Sequence, residues 1–257
     1  MRHHVATAVV ILFLSSYMAS CRLAVVRVPL TPENAISANA ATSEGDLAFF
    51  RRDYYAALMK YLKAGEYNPY SEHIFNKIGI AYSRLKFFDK AIVALERAIT
   101  LNPKFAFAYN NLGSVYFADN NKKKAEKLFR KAIGIKNDEA SFHINLGTLL
   151  FEQKKFDKGL LELRRGISLD PDILKQSAGD GLVANTSDRN SPEKSYFMAR
   201  FHASIGNVDG AVESLQKAIT QGFTNLEAIR TEKDFDSIRQ HEKFVAFMQY
   251  AAQFIKS

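Results

Sequence analysis

Cysteine is nearly absent: the 257 residues hold one, Cys21, so no disulfide framework can be closed within the chain. Tryptophan is missing, and the large packing groups are twenty phenylalanines and eleven tyrosines. Six prolines and thirteen glycines leave long stretches free to be helical, since both residues weaken helix interiors. No apolar run reaches the roughly 20 residues of a membrane-spanning helix. The histidines are scattered at 3, 4, 73, 143, 202 and 241, with no i, i+4 pair and no companion cysteines for zinc. His143 and His202 fall at packing positions and read as core or half-buried groups. No glycine-rich loop follows a strand and no serine lies in a strand-to-helix elbow, so phosphate cradling and acyl transfer have no carrier. Glu232, Asp234 and Asp236 lie among Lys233 and Arg239 and read as solvated or capping groups. The chain is therefore expected to be no enzyme, with no catalytic, metal or cofactor residues and no small-molecule substrate.

Charge is moderate, with 35 Lys and Arg against 27 Asp and Glu, a net +8. The basic runs Lys122-Lys123-Lys124, Arg130-Lys131, Lys154-Lys155 and Arg164-Arg165 are short and read mainly as a solvated face. A nucleic-acid surface would interleave them with aromatic platforms, so no nucleic-acid partner is expected.

The N-terminus opens with Arg2, His3 and His4, followed by an apolar run over 5–18 that is too short to span a membrane, the layout of a secretory signal. Met18-Ala19-Ser20-Cys21 resembles the lipobox of bacterial lipoproteins, although Met18 stands where leucine is usual. The resemblance implies a signal peptide over 1–20, lipidation at Cys21 and a protein anchored in the membrane of a bacterial cell envelope, facing the periplasm. Ordinary cleavage nearby and an uncleaved anchor remain the alternatives. Residues 21–43, with Pro29, Pro32 and a run of small residues, read as a tether of partial helical character.

Beyond it the sequence repeats every 34 residues. Ala57, Ala91, Ala125 and Gly159 share one position; Tyr61, Leu95, Phe129 and Leu163 another; Ala64, Ala98, Ala132 and Gly166 a third. Earlier in the unit the same spacing aligns Ile78, Leu112 and Leu146, then Gly79, Gly113 and Gly147, then Tyr82, Tyr116 and Leu150. Such a unit is a pair of antiparallel helices whose small residues allow close approach and whose large residues need the next pair for burial. Turns are placed at Phe87-Phe88-Asp89, Asp119-Asn120-Asn121 and Lys155-Phe156-Asp157, and Pro69, Pro103 and Pro171 end units. Gly159 and Gly166, where alanine is usual, are expected to weaken their helix by roughly 0.8–1 kcal/mol each, so alanine there should stabilise. After Pro171 a polar connector inserts 18 residues before the spacing resumes at Ala211.

These units resemble the tetratricopeptide repeat, and Ala108-Tyr109-Asn110-Asn111-Leu112-Gly113-Ser114-Val115-Tyr116 is close to its first-helix pattern. The resemblance implies an all-α, right-handed superhelical solenoid of antiparallel helix hairpins. The array spans 44–171 with a degenerate first unit whose first helix is poor, the connector 172–191, and a final hairpin with a helical cap 192–257. The closing segment, from Tyr196 through Asp234-Phe235 to Phe244, resembles the end-of-group block of some bacterial repeat proteins. In this family the inner channel, lined by first helices, takes the partner. The matching positions here are His73, Asn76, Ile80 and Ser83, then Phe107, Asn110, Ser114 and Phe117, then Ser141, Ile144, Asn145, Thr148 and Phe151. A basic clamp for a carboxylate terminus is poorly matched, because Phe107 and Ser141 stand where Lys or Arg would serve. The resemblance implies a protein or peptide partner and a scaffold that assembles or positions an envelope complex. The alternatives are a soluble secreted or periplasmic peptide-binding module and a regulatory subunit of an envelope enzyme.

Overall fold

The computed structural model describes residues 29–173 and 191–254; Cys21, the expected signal and most of the expected connector lie outside the described residues. The first hairpin is α1 (Pro32–Phe50) with α2 (Tyr54–Tyr67), followed by α3 (Glu72–Arg84) with α4 (Phe88–Leu101). Next come α5 (Ala106–Ala118) with α6 (Lys122–Ile135) and α7 (Ala140–Glu152) with α8 (Phe156–Leu169). A fifth pair, α9 (Pro192–Ser204) and α10 (Val208–Thr220), leads into α11 (Leu226–Thr231), a 3-10 turn over Lys233–Phe235 and α12 (Glu242–Phe254). Helices pack on their hairpin partner and then on the next hairpin in chain order, so the described residues form the expected all-α solenoid of helix pairs.

Each first helix ends the same way. Arg52, Lys86, Asn120 and Lys154 adopt left-handed φ values of 62°, 63°, 59° and 60°, and Gly206 follows at 72°. The next residue then donates its N–H to a carbonyl five positions back: Asp53 to Ala48 at 3.0 Å, Phe87 to Tyr82 at 2.9 Å, Asn121 to Tyr116 at 2.7 Å, Lys155 to Leu150 at 2.9 Å. This closure satisfies carbonyls that a helix end would otherwise leave open. Because the chain reverses at Lys86 and Lys154, Phe88-Asp89 and Phe156-Asp157 are already helical and not part of the expected turns.

The two helices of a pair approach closely at glycine. A Cβ added at Gly79 would lie 2.9 Å from Leu95 Cδ2 and 3.3 Å from the Ala91 carbonyl oxygen; one at Gly113 would lie 2.8 Å from the Phe129 ring and 3.4 Å from the Ala125 oxygen. Leu95, Phe129 and Leu163 are almost wholly buried, each contributing roughly 1.5–3 kcal/mol. Gly159 and Gly166 overturn the expectation attached to them. A Cβ at Gly159 would meet the Phe151 ring at 2.8 Å and the Gly147 oxygen at 3.0 Å; at Gly166 it would meet Ile144 Cδ1 at 2.7 Å and the Ala140 oxygen at 3.0 Å. Here α7 and α8 are close enough that glycine is required on both sides of the contact.

The expected boundary at residue 43 falls inside α1, and the first unit is a full hairpin with a 19-residue first helix. Thr31 caps it by accepting the Asn34 N–H at 3.2 Å, Pro32 occupies its first turn, and Ala38, Ala41 and Gly45 are buried against α2. The small-residue run that reads as a tether is thus a packing face: small side chains give weak periodicity but let Tyr61 lie directly over Gly45.

At the other end Ile229, Phe235, Ile238 and Phe244 are buried together with Tyr196 and Leu215, which seals the last hairpin. The seal is pinned by Arg200, which donates to Asp157 at 2.9 Å and Asp234 at 2.8 Å and lies 3.3 Å from Glu232; Arg164 also pairs with Asp234. Burial disfavours the Arg200 charge, but the bonds to Asp234 and Asp157 outweigh it and hold its pKa above the ordinary value. Burial, reinforced by Glu232, pushes the Tyr196 hydroxyl up to about 12. Glu232 and Asp234, read in the sequence as solvated or capping groups, are ion-pair partners of Arg200, and the clamp joins α8, α9 and the closing segment across the connector.

Gly166→Ala is expected to destabilise by about 1–3 kcal/mol through overpacking. Gly134→Ala, on α6 with nothing within 4 Å of its added Cβ, should stabilise by up to about 1 kcal/mol. Urea melts of the two variants check the ordering.

Candidate functional site

Successive first helices touch along one side of the array, α3 on α5 and α5 on α7, whereas the second helices α2, α4, α6 and α8 meet chiefly through them. The side carrying the first helices is therefore the tighter, inner one. Its lining falls into three strips.

The first strip is aromatic. His73 packs edge-on to Phe105 at 4.7 Å, Phe105 lies 5.8 Å from Phe107, and Phe107 lies 5.3 Å from Phe142, spanning three hairpins. His73 is exposed and Phe107 is 37 % exposed, with the Lys136 ammonium 5.0 Å from its ring centre. Phe105 was not singled out in the sequence because it lies in the turn before α5, outside the first-helix register.

The second strip is a chain of amides. Asn145 donates to Asn110 Oδ1 at 3.0 Å, Asn110 donates to Asn111 Oδ1 at 3.4 Å, and Asn111 donates to Asn76 Oδ1 at 2.9 Å. One register earlier Lys77 donates to Asp46 at 2.6 Å, and Asp46 also accepts from the Tyr61 hydroxyl at 2.8 Å. Burial first, then the Asp46 bond and charge, raise the Tyr61 pKa far above its ordinary value. Residues 77, 111 and 145 thus each reach back one hairpin. Asn76 and Asn110, expected to line the channel, are buried, at 9 % and 5 %, and their side-chain amides bond to Asn111 and Asn145. Asn111 and Lys77, absent from the sequence-based set, carry links, and the 34-residue steps from 77 to 111 to 145 were the available signal.

The third strip lies toward the C-terminal ends of the first helices. Ser114 donates to its own helix at Asn110 O (3.1 Å), leaving its oxygen as an acceptor on this half-exposed side, and Thr148 donates to Ile144 O (2.9 Å). Ser83 is half-buried on the same side, and Phe117 packs half-buried on the cluster of Phe129 and Leu149. Phe151 does not line the channel. It is 3 % exposed, turned onto Gly159, Phe156 and Leu160, because the glycine opens a slot that the ring fills.

A separate apolar cleft of about 490 Å³ lies between α2 and α4 over α3, lined by Leu62, Phe75, Ile78, Tyr82, Val93 and Ala94 with Asp89, Lys90 and Arg97 at its edge. Among the described residues no group of three His, Cys, Asp or Glu side chains could hold a metal ion. His143 is buried, with Nδ1 2.7 Å from the Glu162 carboxylate and Nε2 3.0 Å from the Asn137 oxygen. His202 is half-buried; burial lowers its pKa, with Glu213 opposing. No helix among the described residues is long and apolar enough to cross a membrane.

A TPR repeat model matches residues 88–120, and a tetratricopeptide repeat model matches residues 108–139. The chain therefore carries tetratricopeptide repeats, centred on α4 to α6. Among solved structures it is similar to TTC0263, a thermophilic TPR protein of Thermus thermophilus, at 18% identity over 75% of this chain and 96% of that one, with a TM-score of 0.52. It is also similar to MamA protein (20% identity, 77% and 97% covered, TM-score 0.48). The first TPR of Spaghetti (RPAP3), bound to an HSP90 peptide, matches at 24% identity over 44% of this chain and 90% of that one, with a TM-score of 0.43. No curated protein matches the chain significantly.

If the amide chain holds hairpins together, Asn110→Ala should destabilise by about 1–3 kcal/mol, since it strands the buried partners of the lost side chain. A double-mutant cycle between Asn76 and Asn111, read by thermal melts, should show coupling of about 0.5 kcal/mol or more.

Proposed function

We propose that the protein is a non-enzymatic scaffold that holds a segment of a partner protein along its inner channel, and that Cys21 anchors it to a bacterial envelope membrane. The carried repeats are those of protein–protein interaction modules. The observation that supports a channel ligand here is the pairing of two unlike strips on one surface. The His73–Phe105–Phe107 strip supplies accessible aromatic area, and the Ser114 oxygen supplies an acceptor beside it. An extended segment has backbone N–H groups on its edge and side chains on alternating sides, so it can use both strips at once. The buried asparagines act one step removed, by fixing the spacing of the helices that carry these groups. The basic outer face, where Lys123 and Lys127 are exposed, adjusts encounter rate more than affinity. The anchor reading rests on the sole cysteine directly after a short apolar run.

Crosslinking in the native envelope followed by mass spectrometry should identify one dominant partner. Ser114→Arg should abolish its capture while the circular-dichroism spectrum and melt are retained, because the Ser114 side chain bonds to its own helix. Lys123→Glu with Lys127→Glu should weaken capture mainly at low salt. If the reversed charges abolish capture at every salt concentration and the channel variant binds normally, the working surface is the outer one.

Intact-mass analysis of envelope-extracted protein should show a diacylglyceryl-modified Cys21, and Cys21→Ser should move the protein to the soluble fraction. An unmodified mature N-terminus elsewhere refutes the anchor without touching the channel.

A further inference from the structure

The two ends of the solenoid differ. The C-terminal end is sealed by Ile229, Phe235, Ile238 and Phe244. Among the described residues nothing caps the N-terminal end, and five of their twelve exposed large apolar side chains lie on its two helices: Ile36 (69 %), Leu47, Phe50 (85 %), Tyr55 and Met59. On α1, Ile36, Ala40, Ser43, Leu47 and Phe50 follow one another at alternating spacings of four and three, a continuous uncharged stripe about 21 Å long.

This stripe is the face by which later hairpins dock. Positions 40 and 47 recur 34 residues apart as Ile74 and Ala81, Ala108 and Val115, Phe142 and Leu149, and all six are at most 5 % exposed. They pack into clusters with the second helix of the hairpin before them, Val115 with Leu95 and Leu149 with Phe129. In α1 the equivalent residues Ala40 and Leu47 face outward, with no hairpin before them among the described residues.

We propose that a second copy of the chain covers this face, with α1 packed antiparallel on α1 about a two-fold axis at Ser43. A head-to-tail arrangement would need an open last hairpin, and that position is filled by the closing helices. The end face is therefore left with its own equal, an isologous contact that closes as a dimer. The stripe is self-complementary in this sense only. Ser43 lies seven residues from both Ile36 and Phe50, so Ile36 meets Phe50 of the second copy and Ser43 meets itself, while small Ala40, three before, and large Leu47, four after, fall within one residue of each other. Glu33 lies ten residues before Ser43, Arg51 and Arg52 lie eight and nine after it, and Asp53, ten after it, is engaged in its own chain by the Ala56 N–H at 2.9 Å, so the nearest cations to each Glu33 are the second copy's arginines. The flanking acids Glu44 and Asp46 are already paired with Lys60 and Lys77 within one chain and do not repel across the axis.

Sedimentation equilibrium of the full chain should show a reversible monomer–dimer equilibrium. Leu47→Glu with Phe50→Glu, both exposed in one chain, should abolish the dimer while helicity and melting are retained. In a Cys21→Ser background, Ser43→Cys should form a disulfide-linked dimer under mild oxidation and Ile36→Cys should not. Glu33→Arg should shift the equilibrium to monomer, and adding Arg51→Glu and Arg52→Glu should restore the dimer. A concentration-independent monomer overturns the proposal. So does a dimer that survives the Leu47 and Phe50 changes, equal crosslinking at Ile36→Cys, or protection of α1 amides from hydrogen exchange that depends on residues 1–28 in a monomer.

Discussion

The array depends on how closely two antiparallel helices can approach at one crossing. At Gly79, Gly113 and Gly147 the facing side chain, Leu95, Phe129 or Leu163, rests against backbone where any Cβ would intrude. That contact sets the distance between the helices of a pair, and the distance fixes which large residues project beyond the pair. Those residues cannot be buried by their own hairpin, so each unit is stable only with its neighbour. In the α7–α8 pair the constraint is doubled, because Gly159 and Gly166 lie against Phe151 and Ile144. What a helix propensity scale counts as a weakness is there the condition for the close approach of the two helices.

The inner surface shows how stability and recognition share one set of helices. Neighbouring first helices are joined by side-chain amides, each reaching to the preceding hairpin, and these groups are mostly used up in doing so. The series ends where its residues change: Ile144 occupies the register of Asn76 and Asn110, and after the 18-residue insertion Phe197 stands where Asn145 would recur. Phe197 stacks on Phe156 at 4.7 Å instead, and the polar link gives way to the Arg200 clamp with Asp157, Glu232 and Asp234. After the register break the amide link does not recur among the described residues, and charge-assisted pairs, present earlier as Lys77–Asp46, hold the last hairpin to α8.

The fold was legible in the sequence because a repeat reports itself many times over. Small residues at 79, 91, 113 and 125 gave the close helix crossing, and the 34-residue spacing placed α2 to α8. Register alone assigned His73, Ser83, Phe107, Ser114 and Thr148 to first helices, where α3, α5 and α7 carry them. The turns were less legible. Their left-handed residue recurs at 52, 86, 120 and 154 with the same φ, yet its identity passes through Arg, Lys, Asn and Lys, because the backbone bonds, and no side chain, make the reversal.

By itself the sequence determined the helix-pair repeat, its period, the inner and outer faces and the interruption before the last pair, all of which follow from where small, large and polar side chains recur along one helix. Tertiary structure decided what recurrence cannot encode. It made α1 a full helix, since alanine, serine and glycine have too little contrast to show a face until Tyr61 packs on them. It turned Phe151 inward, because the slot belongs to a glycine on the facing helix. It also spent the asparagines on one another: whether an amide is offered to a partner or consumed by a neighbour depends on the distance between two helices, and that distance is a property of the packed pair.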